Sequence, residues 1–271
     1  MCELFCLSSS WPTTVAFSLE ELSRHGAVGR STVDGWGLAY HDGRDVRLYK
    51  EPEPAGESAW LAFIRGRNLA SSIVISHIRR ATQGALSHAN TQPFTRELAG
   101  RMHVFAHNGH IVDLTDRAEF DVPPFTPVGE TDSELAFCDL MARVSSLWKG
   151  GVVPSVKGRF DIFETFCADM RARGVANFLY ADGEIVFAHG HRRIQSDGRI
   201  APPGLWRLER RCSVDADKLA AMGVDIADGP PDQQVTLLAS VPLTDEAWTP
   251  MSEGETVMLK SGRVLTLAEC V

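Results

Sequence analysis

Strand-forming and helix-forming stretches are sorted into blocks along this 271-residue chain, and that sorting limits the available folds more than any other feature. Short apolar or β-branched segments at residues 2–7, 36–40, 46–50, 72–78 and 102–107 read as strands. The second and third flank a His41-Asp-Gly-Arg-Asp hairpin turn, and the last is expected to stop at Asn108-Gly109. Two long helices follow, predicted over 131–147 and 160–174, the second ended by Gly174. Strands then return at 177–180 and 184–189 around an Ala181-Asp-Gly turn, and again at 205–208, 235–241, 255–260 and 264–267. Shorter helices are predicted at Ser18-Leu-Glu-Glu-Leu, with Ser18 and Glu21 as a capping box, and at 57–69. Strands, then helices, then strands favour a layered α+β domain over a doubly wound α/β fold, in which the two alternate. There is no repeat, and the proline-rich 122–127 stretch is too short to serve as a linker between domains, so a single domain over 2–271 is expected.

The charge balance narrows the function. With 27 basic against 35 acidic residues the formal charge is −8, the opposite of what clustered phosphate contacts require, so no nucleic-acid partner is expected. No segment reaches the roughly 18 consecutive apolar residues of a membrane helix. The first basic residue is Arg24, which does not fit a signal peptide. Six cysteines without a C-x-x-C pair read as reduced thiols, and the expected location is cytoplasmic. His103, His107 and His110 lie close together, as do His189 and His191, but neither H-E-x-x-H nor a carboxylate partner accompanies them. No metal and no organic cofactor is implied; G-x-S-x-G, P-loop and G-x-G-x-x-G patterns are also absent.

Cys2 carries the chemical reading. Removal of Met1 would leave it with a free α-amine, whose reference pKa of about 7.7–8.0 suits a general base for the adjacent thiol. One residue would then supply nucleophile and base. The alternative is a small apolar residue in an edge strand. Attack on an amide needs oxyanion donors, for which the Asn108 side chain and the Gly109 N–H are candidates, although Asn-Gly also makes simple turns. In Ser76-His-Ile-Arg-Arg-Ala-Thr-Gln-Gly84, Arg79 could hold an α-carboxylate bidentately, or lie on the surface. In Gly129-Glu-Thr-Asp-Ser-Glu134, Asp132 could take an α-ammonium, or serve the capping box of Thr131 and Glu134.

Cys2, Asp34-Gly-Trp-Gly37, Ser76-His-Ile-Arg-Arg-Ala-Thr, Asn90-Thr-Gln-Pro-Phe94, His107-Asn-Gly109 and Gly129-Glu-Thr-Asp-Ser-Glu134 occur in the order seen in class II glutamine amidotransferases, which the chain resembles. The likeness is closest to the stand-alone bacterial branch that includes γ-glutamyl hydrolases. It implies the four-layer αββα sandwich of N-terminal-nucleophile hydrolases and a small-molecule γ-glutamyl substrate. It also implies Cys2 as nucleophile, Asn108 and Gly109 as oxyanion hole, Arg79 on the substrate carboxylate, Asp132 on the ammonium, and Thr82 as a supporting contact. Hexosamine-synthesising members carry Trp and His where this chain has Arg80 and Gln83. Neighbouring strand residues face opposite ways, so Arg79 and Arg80 are not expected to share one carboxylate, and Arg80 is read toward the leaving group. The roughly 80 residues after His191 are too few for a synthase barrel. The expectation is hydrolysis of a γ-glutamyl amide, or else a glutaminase subunit that passes ammonia to, or works only with, a separate acceptor protein. A regulatory subunit retaining the fold alone is the rival outside catalysis, and a homo-oligomer is compatible with every reading.

Overall fold

The computed structural model describes residues 2–15, 34–67, 69–80, 84–112, 124–148, 151–212, 224–225 and 232–270. The chain opens with β1 (Glu3–Val15), β2 (Gly35–Asp42) and β3 (Asp45–Glu51), then α1 (Ala59–Arg65) and β4 (Ala70–Arg79). It moves to a second sheet with β5 (Phe94–Leu98) and β6 (Arg101–Ile111), forms α2 (Asp132–Ser145) and α3 (Val156–Arg171), and continues that sheet with β7 (Gly174–Ala181) and β8 (Val186–Gly190). A small pair, β9 (Arg193–Ile194) and β10 (Ile200–Ala201), leads back to the first sheet. There lie β11 (Trp206–Cys212), β12 (Val224–Asp225), β13 (Gln233–Ala239) and β14 (Thr249–Pro250), before β15 (Glu255–Lys260) and β16 (Arg263–Leu265) finish the second. The strand orders are β14-β11-β13-β1-β4-β2-β3, with β12 beside β1, and β16-β15-β8-β7-β6-β5. Every pairing among the described residues is antiparallel.

Period-two alternation builds four layers from this order. Along β1, Leu4 and Cys6 point between the sheets, where they meet Ile75, Ala106, Leu179 and Leu238. Phe5 and Leu7 point outward and pack with Trp36 and Val74 under Leu61 and Ile64 of α1. On the outer face of the second sheet, Phe105, Phe178 and Phe187 are covered by Phe137 of α2 and by Phe163 and Phe166 of α3. Strands buried on both faces explain why residues 2–7 read as a continuous apolar run. The fold is thus the expected α+β sandwich, with, among the described residues, one short α-helix outside one sheet and two long α-helices outside the other.

Several local expectations shift. The helix predicted over 57–69 is α1 alone, because the Ser58 Oγ caps it by accepting the Leu61 N–H at 2.9 Å. The helix predicted from 160 starts at Val156, where the Ser155 Oγ accepts the Gly158 N–H. Gly174 does not end that helix but opens β7 opposite Ile111, where a Cβ would press on the His110 carbonyl at 2.1 Å. Asn108-Gly109 does not stop a strand: β6 runs through both to Ile111, pairing Asn108 with Asn177 and Gly109 with Ala176. The Ser18 helix lies outside the described residues.

Candidate active site

Antiparallel pairing brings chain-distant segments to one edge of the sandwich. Because Glu3 faces Ile78 in the β1–β4 register, Cys2 arrives beside the end of β4. Its Sγ accepts the Arg80 N–H at 3.3 Å and lies 3.5 Å from the Arg80 carbonyl, to which the thiol donates. Burial pushes the Cys2 thiol up, and the Arg80 N–H works against this. The thiol therefore needs a base beside it to become a nucleophile. Arg79, buried at the last position of β4, donates to the Gly84 carbonyl at 3.3 Å.

The opposite wall comes from β6 and the start of α2. The Asp132 Oδ2 accepts the Ile111 N–H and its Oδ1 accepts the Ser133 N–H, both at 2.8 Å. The carboxylate is thus held by backbone at a helix N-terminus, where negative charge is favoured. His110 Nδ1 lies 3.6 Å from the same Oδ2. The capping box is half-formed: Thr131 Oγ1 accepts the Glu134 N–H, but Glu134 turns to Arg96 and to the Gly129 N–H rather than to Thr131. Asn90 ties this entry to the loop after β4, its Oδ1 accepting the Glu130 N–H and its Nδ2 donating to the Ala85 carbonyl.

Gln92 and His107 aim the Asn108-Gly109 segment. The Gln92 side chain pairs with the His107 backbone as a strand would, accepting its N–H at 2.6 Å and donating to its carbonyl at 3.2 Å. Gly37 is obligatory behind it, since a Cβ there would stand 2.1 Å from the Gln92 carbonyl oxygen. His107 Nε2 faces the Val175 carbonyl at 3.0 Å, and a carbonyl only accepts, so Nε2 carries the proton. Nδ1 then accepts from the Ser133 hydroxyl at 2.9 Å. Burial pushes this imidazole down, keeping it neutral.

Cys2, Arg79, Gly109 and Asp132 line one cavity, joined by Arg80 and His110. Asn108 sits behind it, buried, with Nδ2 donating to Ser240 Oγ at 3.1 Å. Thr82 lies outside the described residues. Sequence reasoning misses Gln92, although it lies within the Asn90–Phe94 motif. It also misses Ser240 and Asn177, whose strand contexts carry no local signal. Among the described residues no group of three His, Cys, Asp or Glu side chains is placed to hold a metal. His103 is instead bonded to Tyr180 at 2.6 Å.

A cysteine, an arginine and a carboxylate at a helix N-terminus are thus gathered at one edge of an antiparallel sandwich. The chain belongs to the class II glutamine amidotransferases: the family described as "Glutamine amidotransferases class-II" matches residues 1–270. It is an enzyme of glutamine amide hydrolysis or transfer. Among similar proteins, YafJ of Escherichia coli, assigned to the glutamine amidotransferases, is 34% identical over 94% of this chain and 96% of its own. A Haemophilus influenzae protein with the same assignment is 32% identical over 97% and 85%. A crystal structure of a predicted glutamine amidotransferase from Pseudomonas aeruginosa is 32% identical, covers 98% and 100% of the two chains, and superposes with a TM-score of 0.69. Glutamine phosphoribosylpyrophosphate amidotransferase from Bacillus subtilis shares the fold at 16% identity and a TM-score of 0.59, this chain spanning 48% of it. No described helix is long and apolar enough to cross a membrane.

Proposed function

We propose that this chain, acting as one domain, hydrolyses the γ-amide of glutamine or of a γ-glutamyl compound through a thioester on Cys2. With Met1 removed, the α-amine takes the thiol proton through a water, and the sulfur adds to the δ-carbonyl. Asn108 and Gly109 hold the resulting oxyanion while Arg79 and Asp132 hold the glutamyl carboxylate and ammonium. The carbon–nitrogen bond then breaks, the amine leaves with the proton, and water cleaves the thioester to release glutamate and restore the thiol. The observation that carries this reading is the convergence of Cys2, Arg79, Gly109 and Asp132 on a single cavity from four separate segments. Arg80, which turns its backbone to the sulfur, is assigned to the leaving-group side.

The test is glutamate release by protein confirmed by mass to begin at Cys2, with glutamine and a panel of γ-glutamyl amides and peptides as substrates. Release that disappears in Cys2→Ala is expected. Equal release by parent and Cys2→Ala would remove the thioester. Silence of the parent across the panel would overturn the self-sufficient hydrolase in favour of a subunit completed by an acceptor protein.

A further inference from the structure

Behind the cavity lies a buried polar chain that ends on Asn108 and whose other members the proposed chemistry does not use directly. Arg193 Nη2 donates to Glu3 Oε1 and its Nη1 donates to the Ser240 carbonyl, both at 2.8 Å. Ser240 Oγ accepts the Leu4 N–H at 3.0 Å and an Asn108 Nδ2 proton at 3.1 Å. All four side chains are buried, and they come from β1, β6, β9 and the residue after β13. Asn177 braces the same point, donating from Nδ2 to the Asn108 carbonyl at 2.8 Å and to the Arg192 carbonyl at 2.7 Å.

A buried ion pair is a poor way to gain stability, since apolar side chains of similar size commonly do as well or better. This one is also incompletely satisfied, with Glu3 Oε2 and Arg193 Nε buried without a well-formed hydrogen bond. Its position suggests a different use. An asparagine amide offers nitrogen or oxygen to a neighbour, depending on a half-turn about its last torsion, and only the nitrogen end stabilises an oxyanion. A serine hydroxyl has one proton and two acceptor sites. The Leu4 N–H occupies one acceptor site, and the neighbouring Glu3 carboxyl, whose Oε2 has no other hydrogen bond, is the acceptor left for the proton. Ser240 therefore meets Asn108 as an acceptor, and Asn108 must present Nδ2. One of its two protons goes to Ser240, the other is not taken by that bond, and Oδ1 is buried without a hydrogen-bond partner. Burial pushes the Glu3 carboxyl up and the Arg193 guanidinium opposes this; because a guanidinium only donates, the Glu3 Oε1 that meets Arg193 Nη2 is an acceptor.

We propose that Ser240, oriented by Glu3 and Arg193, is a positioning residue that fixes the Asn108 side-chain amide as the oxyanion donor. This rests on the function proposed above, so its test has one arm that needs turnover and one that does not. In the kinetic arm, Ser240→Ala is expected to lower kcat by about 10- to 100-fold, short of the 10²–10³ for outright loss of a donor. KM and the rate of Cys2 alkylation by iodoacetamide should stay within about threefold. In an Asn108→Ala background the same exchange should cost nothing further. Independent, multiplying losses, or a change in KM alone, would overturn the proposal. Ser240→Cys, which keeps the volume but accepts hydrogen bonds weakly, covers the case in which Ser240→Ala does not fold. In the second arm, asparagine is labelled with ¹⁵N and the Asn108 side-chain amide is identified by its loss in Asn108→Asp. Its hydrogen exchange should quicken at least about tenfold in Ser240→Ala and in Arg193→Met, by loss of the restraining bond. Unchanged exchange would overturn the positioning role even in a protein with no glutaminase activity. Altered exchange in an inactive parent would instead count against the proposed function alone.

Discussion

Replacing Gly109 with alanine adds one methyl group to β6, and the structure leaves it no room. A Cβ there would stand 1.8 Å from the Val175 carbonyl oxygen and 2.6 Å from His107 Nε2, where approaches under 3.0 Å are essentially never found. Neither obstacle can swing aside. Val175 is paired with His110 in the β6–β7 ladder, and His107 Nε2 donates to that same oxygen at 3.0 Å. Relief needs at least about 1.2 Å of separation, more than the width of the hydrogen-bond distance range. The His107 bond and a neighbouring ladder bond should break, at about 1 kcal/mol each. Overpacking adds about 1–3 kcal/mol, so the expected destabilisation is about 3–5 kcal/mol. The same movement carries the Gly109 N–H out of place and should lower kcat by about 10²–10³. Urea unfolding and steady-state glutamate release, measured on the same samples, read the two effects. Gly56→Ala, where nothing lies within 4 Å of the added Cβ, is the control, expected within about 0.5 kcal/mol of the parent. A Gly109→Ala protein that unfolds within about 1 kcal/mol of the parent and keeps its kcat would refute the steric argument.

Arg79→Ala should raise KM by the equivalent of about 2–5 kcal/mol, with Cys2 alkylation unaffected; an unchanged KM for glutamine would remove Arg79 from the carboxylate. Arg80 lines the cavity with its Nε buried and unpartnered. Arg80→Ala should accordingly cost at least about tenfold more kcat/KM on γ-glutamyl amides whose amine bears a carboxylate than on glutamine, and equal losses would dismiss the leaving-group assignment. Burial holds His41 and His103 down at about 4, and His77 and His189 at about 3. An unfolded chain protonates these near 6.5 while the folded one does not. Their contribution is therefore complete above that pH and falls below it, by up to about 1.4 kcal/mol per pH unit for each. A flat urea-unfolding profile between pH 7 and 4.5 would contradict it. Arg159 donates to Asp182 at 2.6 Å and to Glu184 at 2.9 Å. Arg159→Met should cost about 3–5 kcal/mol by stranding the buried Asp182, yet leave kcat intact. The pair lies past the end of β7, remote from Ala176, which faces Gly109.

The features of the site that are legible in the sequence are those whose chemistry is carried by residue type within a short segment. Cys2, the Arg79 motif and the Asp132 motif can be read because each sits at the end of an element, where a polar residue interrupts an apolar pattern. Antiparallel pairing then brings such ends to one edge: the start of β1, the ends of β4 and β6, and the start of α2. Asn108-Gly109 misleads for a physical reason. Asn-Gly is a strong hairpin signal because both residues tolerate positive φ, but Gly109 is absent from the positive-φ glycines and serves close strand approach instead. A missing Cβ satisfies either demand, and only the Val175 carbonyl, 66 residues along the chain, shows which one applies. The late start predicted for α3 has a similar source: its first turn, Val156-Lys-Gly-Arg, carries little apolar periodicity, and the Ser155 cap marks the true beginning.

Orientation of the site is harder to read than its chemistry because it is supplied by ordinary residues meeting across long sequence separations. Gln92 substitutes for a strand against His107, and Ser133 and Val175 settle that imidazole's proton. Ser240 reaches Asn108 from 132 residues away, and Arg193 reaches Glu3 from 190. A serine after a strand and an arginine in a two-residue strand have no local pattern that separates them from surface residues. What distinguishes them is burial with a charged or amide partner, which exists only once the two sheets are closed. Reaction type is therefore written locally and donor direction is not, so substitutions in the last third of the chain should alter kcat without touching any residue that contacts substrate.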